Sequence, residues 1–287
     1  MKISPQSSMD PVTPLSHDKP SARLGASFQR LDATAIKQHL NAKLDNITVF
    51  ETLHSTNDYL RDTSKNNLQL EACLAETQTH GKGQLDRSWH SPFGQNIYFS
   101  LRYPFKKNTK ALSGLSLVTS LATCAAIEQT CSLPKPLTIK WPNDVFYEDR
   151  KLAGSLIEMQ SLSKETCAAI IGIGINVNLD KDDEQKITQP WTSLFQITQT
   201  QQNRNRLCAA LIDQLFIYLK LFEQHGLPHF MNEWNTRDAL LHRNVQLTSG
   251  TKQYTGEYLG INAQGQLQLK LFNHSIQSFS SACVKPA

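Results

Sequence analysis

Four short segments gather residue types that can do chemistry. The first is Gln78-Thr79-His80-Gly81-Lys82-Gly83-Gln84-Leu85-Asp86-Arg87-Ser88-Trp89. Its glycines allow a backbone to approach a ligand closely. Lys82 and Arg87 suit a phosphate or carboxylate, and Trp89 offers a flat stacking surface. The same composition also fits a solvated surface loop. The second segment is Lys140-Trp141-Pro142-Asn143-Asp144. Asp144 can hold a magnesium ion or orient a nucleophile, and Asn143 can bond a base or ribose. Pro-Asn-Asp is also ordinary turn chemistry.

The third segment, Arg150-Lys151-Leu152-Ala153-Gly154, sits on the return arm of a hairpin that begins at Asp144. That hairpin carries Lys151 back toward Asp144, where a compact ammonium suits a transferring phosphoryl group. A lysine snorkelling from a strand is the plain alternative. The fourth, Ser55-Thr56-Asn57, offers hydroxyls and an amide to a neutral polar ring such as a ureido group. Taken alone, simple N-capping is the plainer reading of this segment. Common nucleotide and hydrolase signatures are missing. There is no G-x-x-x-x-G-K-[ST] loop and no G-x-S-x-G elbow, and Gly172-Ile173-Gly174-Ile175-Asn176-Val177 lacks the third glycine of a dinucleotide fingerprint.

The elements that must position these residues follow from periodicity. Helical stripes run through Leu31, Ala35, Ile36, Leu40 and Leu44, from Leu112 to Cys131, and from Leu207 to Phe222, the last stopped by Gly226 and Pro228. A further helix starts at Ser55-Thr56-Asn57, and a short one ends near Leu240. Strands are expected at Ile47–Leu53, Cys73–Thr77, Asn96–Tyr103, Leu137–Trp141, Val145–Tyr147, Leu152–Met159 and Ile170–Val177. Glu148-Asp149-Arg150 reads as a hairpin turn. After Leu241 the pattern turns all-β, with strands at Val245–Thr248, Gln253–Leu259, Gln266–Phe272 and Ile276–Val284. Ser249-Gly250 and Asn262-Ala263-Gln264-Gly265 supply turns. Residues 1–27, with Pro5, Pro11, Pro14, Pro20 and many serines, read as a disordered leader. The expected division is thus 1–27, a main domain 28–240, and a small β module 241–287.

Composition narrows the class. The chain has 287 residues, 39% of them hydrophobic, enough for one large and one small domain. Its net charge of +4 is dispersed, with no basic block longer than Lys106-Lys107, so no dedicated nucleic-acid surface is indicated. Six cysteines lack C-x-x-C or zinc-ligand spacing and read as buried thiols of a reducing compartment. Neither a secretory signal nor a membrane-spanning run is present, and a cytoplasmic protein is expected.

Taken together and in order, the segments resemble the bacterial biotin–protein ligases. Those proteins carry a Ser-Thr-Asn element, a Gly-Arg-Gly-rich loop ending in Trp, Lys-Trp-Pro-Asn-Asp, Lys-Leu-Ala-Gly and a Gly-x-Gly-Ile-Asn strand. Here these correspond to Ser55–Asn57, Gly81–Trp89, Lys140–Asp144, Lys151–Gly154 and Gly172–Asn176. The likeness runs from about Phe28 to the C-terminus. Lys82 and Gln84 stand where arginines are usual, and Asp86 where glycine is usual. Lys82 keeps the charge but loses the planar fork.

The resemblance implies an α/β (α+β) fold: a mixed sheet flanked by helices, related to class II aminoacyl-tRNA synthetase-like ligases, followed by a small SH3-like barrel. It implies an ATP-dependent ligase that converts biotin to biotinyl-5′-AMP and transfers biotin to a lysine. The implied partner is the biotin carboxyl carrier domain of acetyl-CoA carboxylase, and the chain is a possible homodimer. Catalytic roles fall to Lys151, Lys82 and Asp144. Biotin would meet Ser55, Thr56, Asn57, Gln78, Gly81, Lys82, Gly83, Gln84, Lys151 and Gly154. ATP would meet Arg87, Trp89, Asn143, Lys151 and Asn176, with magnesium at Asp144. Many family members also repress transcription through an N-terminal DNA-binding domain. Residues 1–27 leave no room for one, so specific DNA binding is not expected. A lipoate–protein ligase and a non-catalytic biotin-binding module are the rival readings.

Overall fold

The computed structural model describes residues 29–63, 68–84, 87–181 and 186–287. The expected leader, 1–27, and Asp86 lie outside them. A seven-stranded mixed sheet forms the larger layer. Its strands are β1 (Asn46–Leu53), β2 (Glu71–Gln78), β3 (Ile97–Phe105), β4 (Thr138–Lys140), β5 (Asp144–Tyr147), β6 (Arg150–Ser161) and β7 (Cys167–Ile175). Their order is β1-β2-β3-β7-β6-β5-β4; β1 and β2 are parallel and every other pair is antiparallel.

The two faces of this sheet differ because alternate residues point opposite ways. Leu74, Phe99, Leu101, Ile171 and Ile173 face the main core, with α3 (Leu115–Thr130) and α5 (Arg204–His225) on that side. Helix α3 is apolar almost all round and is buried accordingly. The other face carries the short helix α2 (Thr56–Thr63), whose Leu60 packs with Cys73 and Ile170.

The first described residues are tied down by a buried ion pair. Glu76 on β2 meets Arg204 at 2.6 Å, with both side chains nearly inaccessible. Glu76 also accepts the Leu31 N–H at 2.6 Å, and Arg204 donates to Gln29 O. Helix α1 (Ala33–Gln38) follows and is shorter than the Leu31-to-Leu44 stripe suggests. It stops because Asp213 of α5 takes the backbone N–H groups of Asn41 and Ala42.

The hairpin at 148–149 forms as expected, with Glu148 and Asp149 both at positive φ. Two features were not foreseen. The segment after Val177 crosses β6, where Lys151 N donates to Pro190 O and Thr192 N donates to Lys151 O, before a short α4 (Leu194–Thr198). The chain past α5 runs through α6 (Met231–Arg237) and not to Leu240. There Asp238 leaves the helix to bridge Ile139 and accept the Tyr258 hydroxyl at 2.7 Å.

The C-terminal layer is a five-stranded antiparallel sheet of β8 (Asn244–Ser249), β9 (Lys252–Ile261), β10 (Leu267–Leu271), β11 (Ile276–Phe279) and β12 (Cys283–Pro286), in the order β11-β10-β9-β8-β12. The expected single strand Ile276–Val284 is two. β11 pairs with β10 and β12 pairs with β8, so the chain breaks at residues 280–282 to reach the opposite edge. The Asn262–Gly265 turn docks on the larger layer, where Trp141 Nε1 donates to Gly265 O at 3.0 Å. Of the six cysteines, five are buried as expected and Cys283, on the edge strand β12, is partly exposed. Among the described residues no helix is long and apolar enough to cross a membrane.

Removing one member of a buried ion pair strands its partner's charge. Arg204→Met is expected to lower stability by about 3–5 kcal/mol in urea unfolding; an unchanged midpoint would contradict the anchoring role of the pair.

Candidate active site

The site is built on the α2 face of the large sheet. Residues directly opposite one another across strands share a face. Lys140, Asp144, Gly154, Gly174, Tyr98 and Ala75 form one such row across six strands. Leu156, Gly172, Ser100 and Cys73 form the next. Three positions in these rows are glycine, and each lies under a functional side chain. A Cβ on Gly172 would sit 2.3 Å from Asn57 Oδ1, and one on Gly174 would sit 2.3 Å from the Trp89 ring. A Cβ on Gly154 would sit 3.1 Å from both Asp144 Oδ1 and Lys151 Nζ.

At the α2 end the polar groups are tightly interlinked. Ser55 caps the helix, accepting the Asp58 N–H. Thr56 N donates to Gln78 Oε1 at 2.9 Å, and Thr56 Oγ1 lies 3.2 Å from the same oxygen. The buried Ser100 hydroxyl lies 2.7 Å from Thr56 Oγ1 and 2.6 Å from Asn57 Oδ1. Asn57 Nδ2 donates to Glu158 at 2.7 Å. Ser55, Thr56 and Asn57 are therefore all buried and oriented.

The glycine-rich loop folds back as a small hairpin. Gly83 N donates to Arg87 O, Trp89 N donates to Gly81 O, and Lys82 bridges Ser88. A Cβ on Gly81 would meet Trp89 O at 2.5 Å, so this turn requires glycine. Lys82 Nζ pairs with Asp58 at 2.6 Å. Burial alone would raise the Asp58 pKa, but the hydrogen bond and charge of Lys82, with those of Arg61, outweigh it and hold the carboxyl below its usual range. Gln84 is exposed, and Arg87 donates weakly to Cys283 Sγ at 3.6 Å.

A cavity of about 1050 Å³ opens beside the loop, with Asp58, Gln78, Gly81, Lys82, Gly83 and Trp89 in its wall. The Lys151–Asp144 pair, 2.7 Å apart, is not in that wall. Trp89 connects the two, for the Lys151 ammonium lies 5.4 Å from its ring centroid. Among the described residues the buried Trp89 Nε1 has no hydrogen-bond partner.

Asn143 and Asn176 are buried beneath this arrangement. Asn143 Nδ2 donates to Ser155 O. Asn176 Nδ2 donates to Thr192 O at 3.1 Å and its N–H to Leu152 O, which holds the Lys151 arm between β7 and the crossing segment. The structure gathers Ser55, Thr56, Asn57 and Gln78 at the start of α2, places Asp144, Lys151 and Gly154 on the same sheet face and Gly81 to Gln84, Arg87 and Trp89 in its loop, while Asn143 and Asn176 brace β6 from outside the cavity wall. Sequence reasoning missed Ser100, Asp58, Glu158 and the 190–192 strap. Ser100 alone left a trace, as a polar residue between Phe99 and Leu101.

Comparison with known proteins decides the family. The profile of the biotin/lipoate A/B protein ligase family matches residues 49–176. The bifunctional ligase/repressor BirA of Salmonella typhimurium is 36% identical over 243 residues, 85% of this chain and 74% of that protein. The chain belongs to the biotin–protein ligase branch of this family. The biotin–[acetyl-CoA-carboxylase] ligase of Paracoccus denitrificans is 29% identical over 69% of the chain and 82% of its own length. Among solved structures, biotin protein ligase from Aquifex aeolicus in complex with biotin and ATP superposes with a TM-score of 0.72 at 28% identity, over 85% of this chain and all of that one.

Overpacking a close approach typically costs about 1–3 kcal/mol. Gly172→Ala, which drives a methyl into the Asn57 carboxamide, is expected to destabilise by that amount in chemical denaturation; native stability would contradict the close approach.

Proposed function

We infer that this chain is an ATP-dependent biotin–protein ligase that forms biotinyl-5′-AMP and transfers biotin to a carrier lysine. One observation carries the reading. In a chain 36% identical to BirA, Lys151 and Asp144 form a close pair on a glycine floor that the Thr56–Gln78 cluster shares. The biotin and ATP complexes of the Aquifex relative support both ligands.

The proposed roles follow from position. Thr56, Gln78 and Ser55 receive the ureido ring of biotin, with Asn57 fixing the helix that carries them. Gly81, Lys82, Gly83 and Gln84 lie along the carboxylate and the acyl-phosphate, and Gly154 clears the floor beside Lys151. In the first step an oxygen of the biotin carboxylate bonds to the α-phosphorus of ATP, and pyrophosphate leaves. Lys151 faces the developing charge, and positioning supplies most of the acceleration. In the second step the carrier amine attacks the acyl carbon and AMP leaves. Asp144 lies where it can accept the amine proton. Trp89 and Arg87 serve the adenylate, while Asn143 and Asn176 hold the Lys151 arm in place. No enzyme nucleophile is needed.

Magnesium accompanies ATP in such reactions, supplying charge neutralisation at the phosphates. Among the described residues no three His, Cys, Asp or Glu side chains converge, and Asp144 is already bonded to Lys151. The described residues thus offer no three-ligand cluster; at this site Asp144 would contribute one oxygen, and phosphate and water the remainder. The carboxylase named by the Paracoccus relative points to its biotin carrier domain as the protein substrate.

Removing a preorganised electrostatic contact costs about 10²–10³-fold in rate. Lys151→Ala is expected to lose that much in biotin-dependent ATP–pyrophosphate exchange, with lipoate failing to replace biotin. Full exchange by the variant, or exchange driven by lipoate, would overturn the reading.

A further inference from the structure

Two histidines take no part in the roles above. His54 immediately precedes Ser55, His80 immediately precedes Gly81, and both stand in the wall of the cavity. Their backbones are fixed to one another where the parallel pairing of β1 and β2 continues past the strand ends. Thr79 N donates to Leu53 O and His80 N to His54 O, both at 2.9 Å. The two imidazoles stack, with centroids 3.9 Å apart and planes inclined by 28°. Thr79 Oγ1 lies 3.4 Å from His54 Nδ1 and 3.1 Å from His80 Nδ1. A single atom position is thus within reach of both ring nitrogens. Among the described residues neither imidazole meets a carboxylate at ion-pair distance.

We propose that His54 and His80 form a chelating site for a divalent transition-metal ion, bound through their two Nδ1 atoms near the point that Thr79 Oγ1 now bridges. Neutral imidazole nitrogen suits nickel, copper and zinc, whereas magnesium prefers oxygen. The ion is therefore of a different class from the magnesium that accompanies ATP. With Nδ1 on the metal, each ring keeps its proton on Nε2, so the donors bind as neutral groups. Metal–nitrogen bonds of about 2.0–2.1 Å are shorter than the contacts to Thr79, so the rings must swing inward and unstack. Both are exposed, and exposed side chains reorient within nanoseconds. The backbone lock keeps the pair together without the ion, which lowers the ordering cost of chelation. No third His, Cys, Asp or Glu converges here among the described residues, so the Thr79 hydroxyl and water complete the shell. His225 and His229 also stack, at 5.1 Å between centroids, but no common hydroxyl marks a point between their nitrogens. An ion on His54 and His80 would clasp the entry of α2 to the base of the glycine-rich loop. The inference stands apart from the ligase reading, and its test uses neither biotin nor ATP.

The test is titration of the untagged full chain with nickel chloride by calorimetry, in a buffer that does not bind metal. Loss of groups that merely support a metal ligand typically costs about 10–100-fold in affinity. His54→Gln and His80→Gln remove ligands themselves, so each is expected to weaken nickel binding by about tenfold or more. His225→Gln should bind nickel as the native chain does, and magnesium chloride should not compete. Both substitutions are on the surface, so melting temperatures in EDTA should stay within about two degrees of native and show that folding is intact. As a measurement that needs no variant, copper(II) bound to the native chain should show coupling to two imidazole nitrogens in its electron paramagnetic resonance spectrum. A native chain that binds no nickel would overturn the inference. So would affinity lost in only one of the two variants, affinity kept in both, or affinity lost in His225→Gln.

Discussion

The missing Cβ atoms at Gly154, Gly172 and Gly174 set the depth of the site, and the functional side chains settle into the space they leave. A strand interior normally disfavours glycine, because it packs nothing and loses more backbone entropy than other residues. Here three occur on two adjacent strands, Gly154 directly opposite Gly174 and Gly172 two residues along on the same face. The stability they forgo is offset on the opposite face, where Ile171, Ile173 and their neighbours pack under α3 and α5. One sheet therefore divides its labour: one side supplies the core, and the other a shelf on which Asn57, Trp89 and the Lys151–Asp144 pair rest.

Electrostatics follow from the same geometry. The floor brings Lys151 down beside Asp144, and the returning loop brings Lys82 to Asp58. Each pair keeps a cation in a fixed place without leaving it uncompensated in a partly desolvated setting. A phosphate that enters must compete with these carboxylates. Catalysis gains only from contacts that strengthen as charge moves onto phosphate oxygens. A lysine held by a carboxylate in the resting state and turned toward phosphate in the reaction meets that condition. Trp89, lying on Gly174 beneath Lys151, couples the loop to this pair.

Much of this was legible in the amino-acid sequence, because the chemistry sits at element ends with local signatures. The Asp144-to-Lys151 approach follows from a tight hairpin, and Glu148-Asp149 at its tip announces one. The start of α2 was marked by Ser55, and the large sheet by alternating apolar runs. What stayed hidden depends on long-range contact. Ser100 is one hydroxyl in an apolar strand, and only folding shows that it meets Thr56 and Asn57, more than forty positions earlier. The strap at 190–192 carries no periodicity, yet it clamps the backbone of Lys151. The split of Ile276–Val284 into two strands reflects which edges were free to pair, which local propensity does not encode.

The most direct measurement is a crystal structure of the chain with a non-hydrolysable sulfamoyl analogue of biotinyl-AMP. The account predicts the ureido ring against Thr56 and Gln78 and the sulfamoyl group within hydrogen-bonding reach of Lys151, with the side chains that cover Gly154, Gly172 and Gly174 lying between the ligand and the sheet. An analogue bound away from Thr56 and Gln78, with the Lys151–Asp144 pair undisturbed, would contradict it.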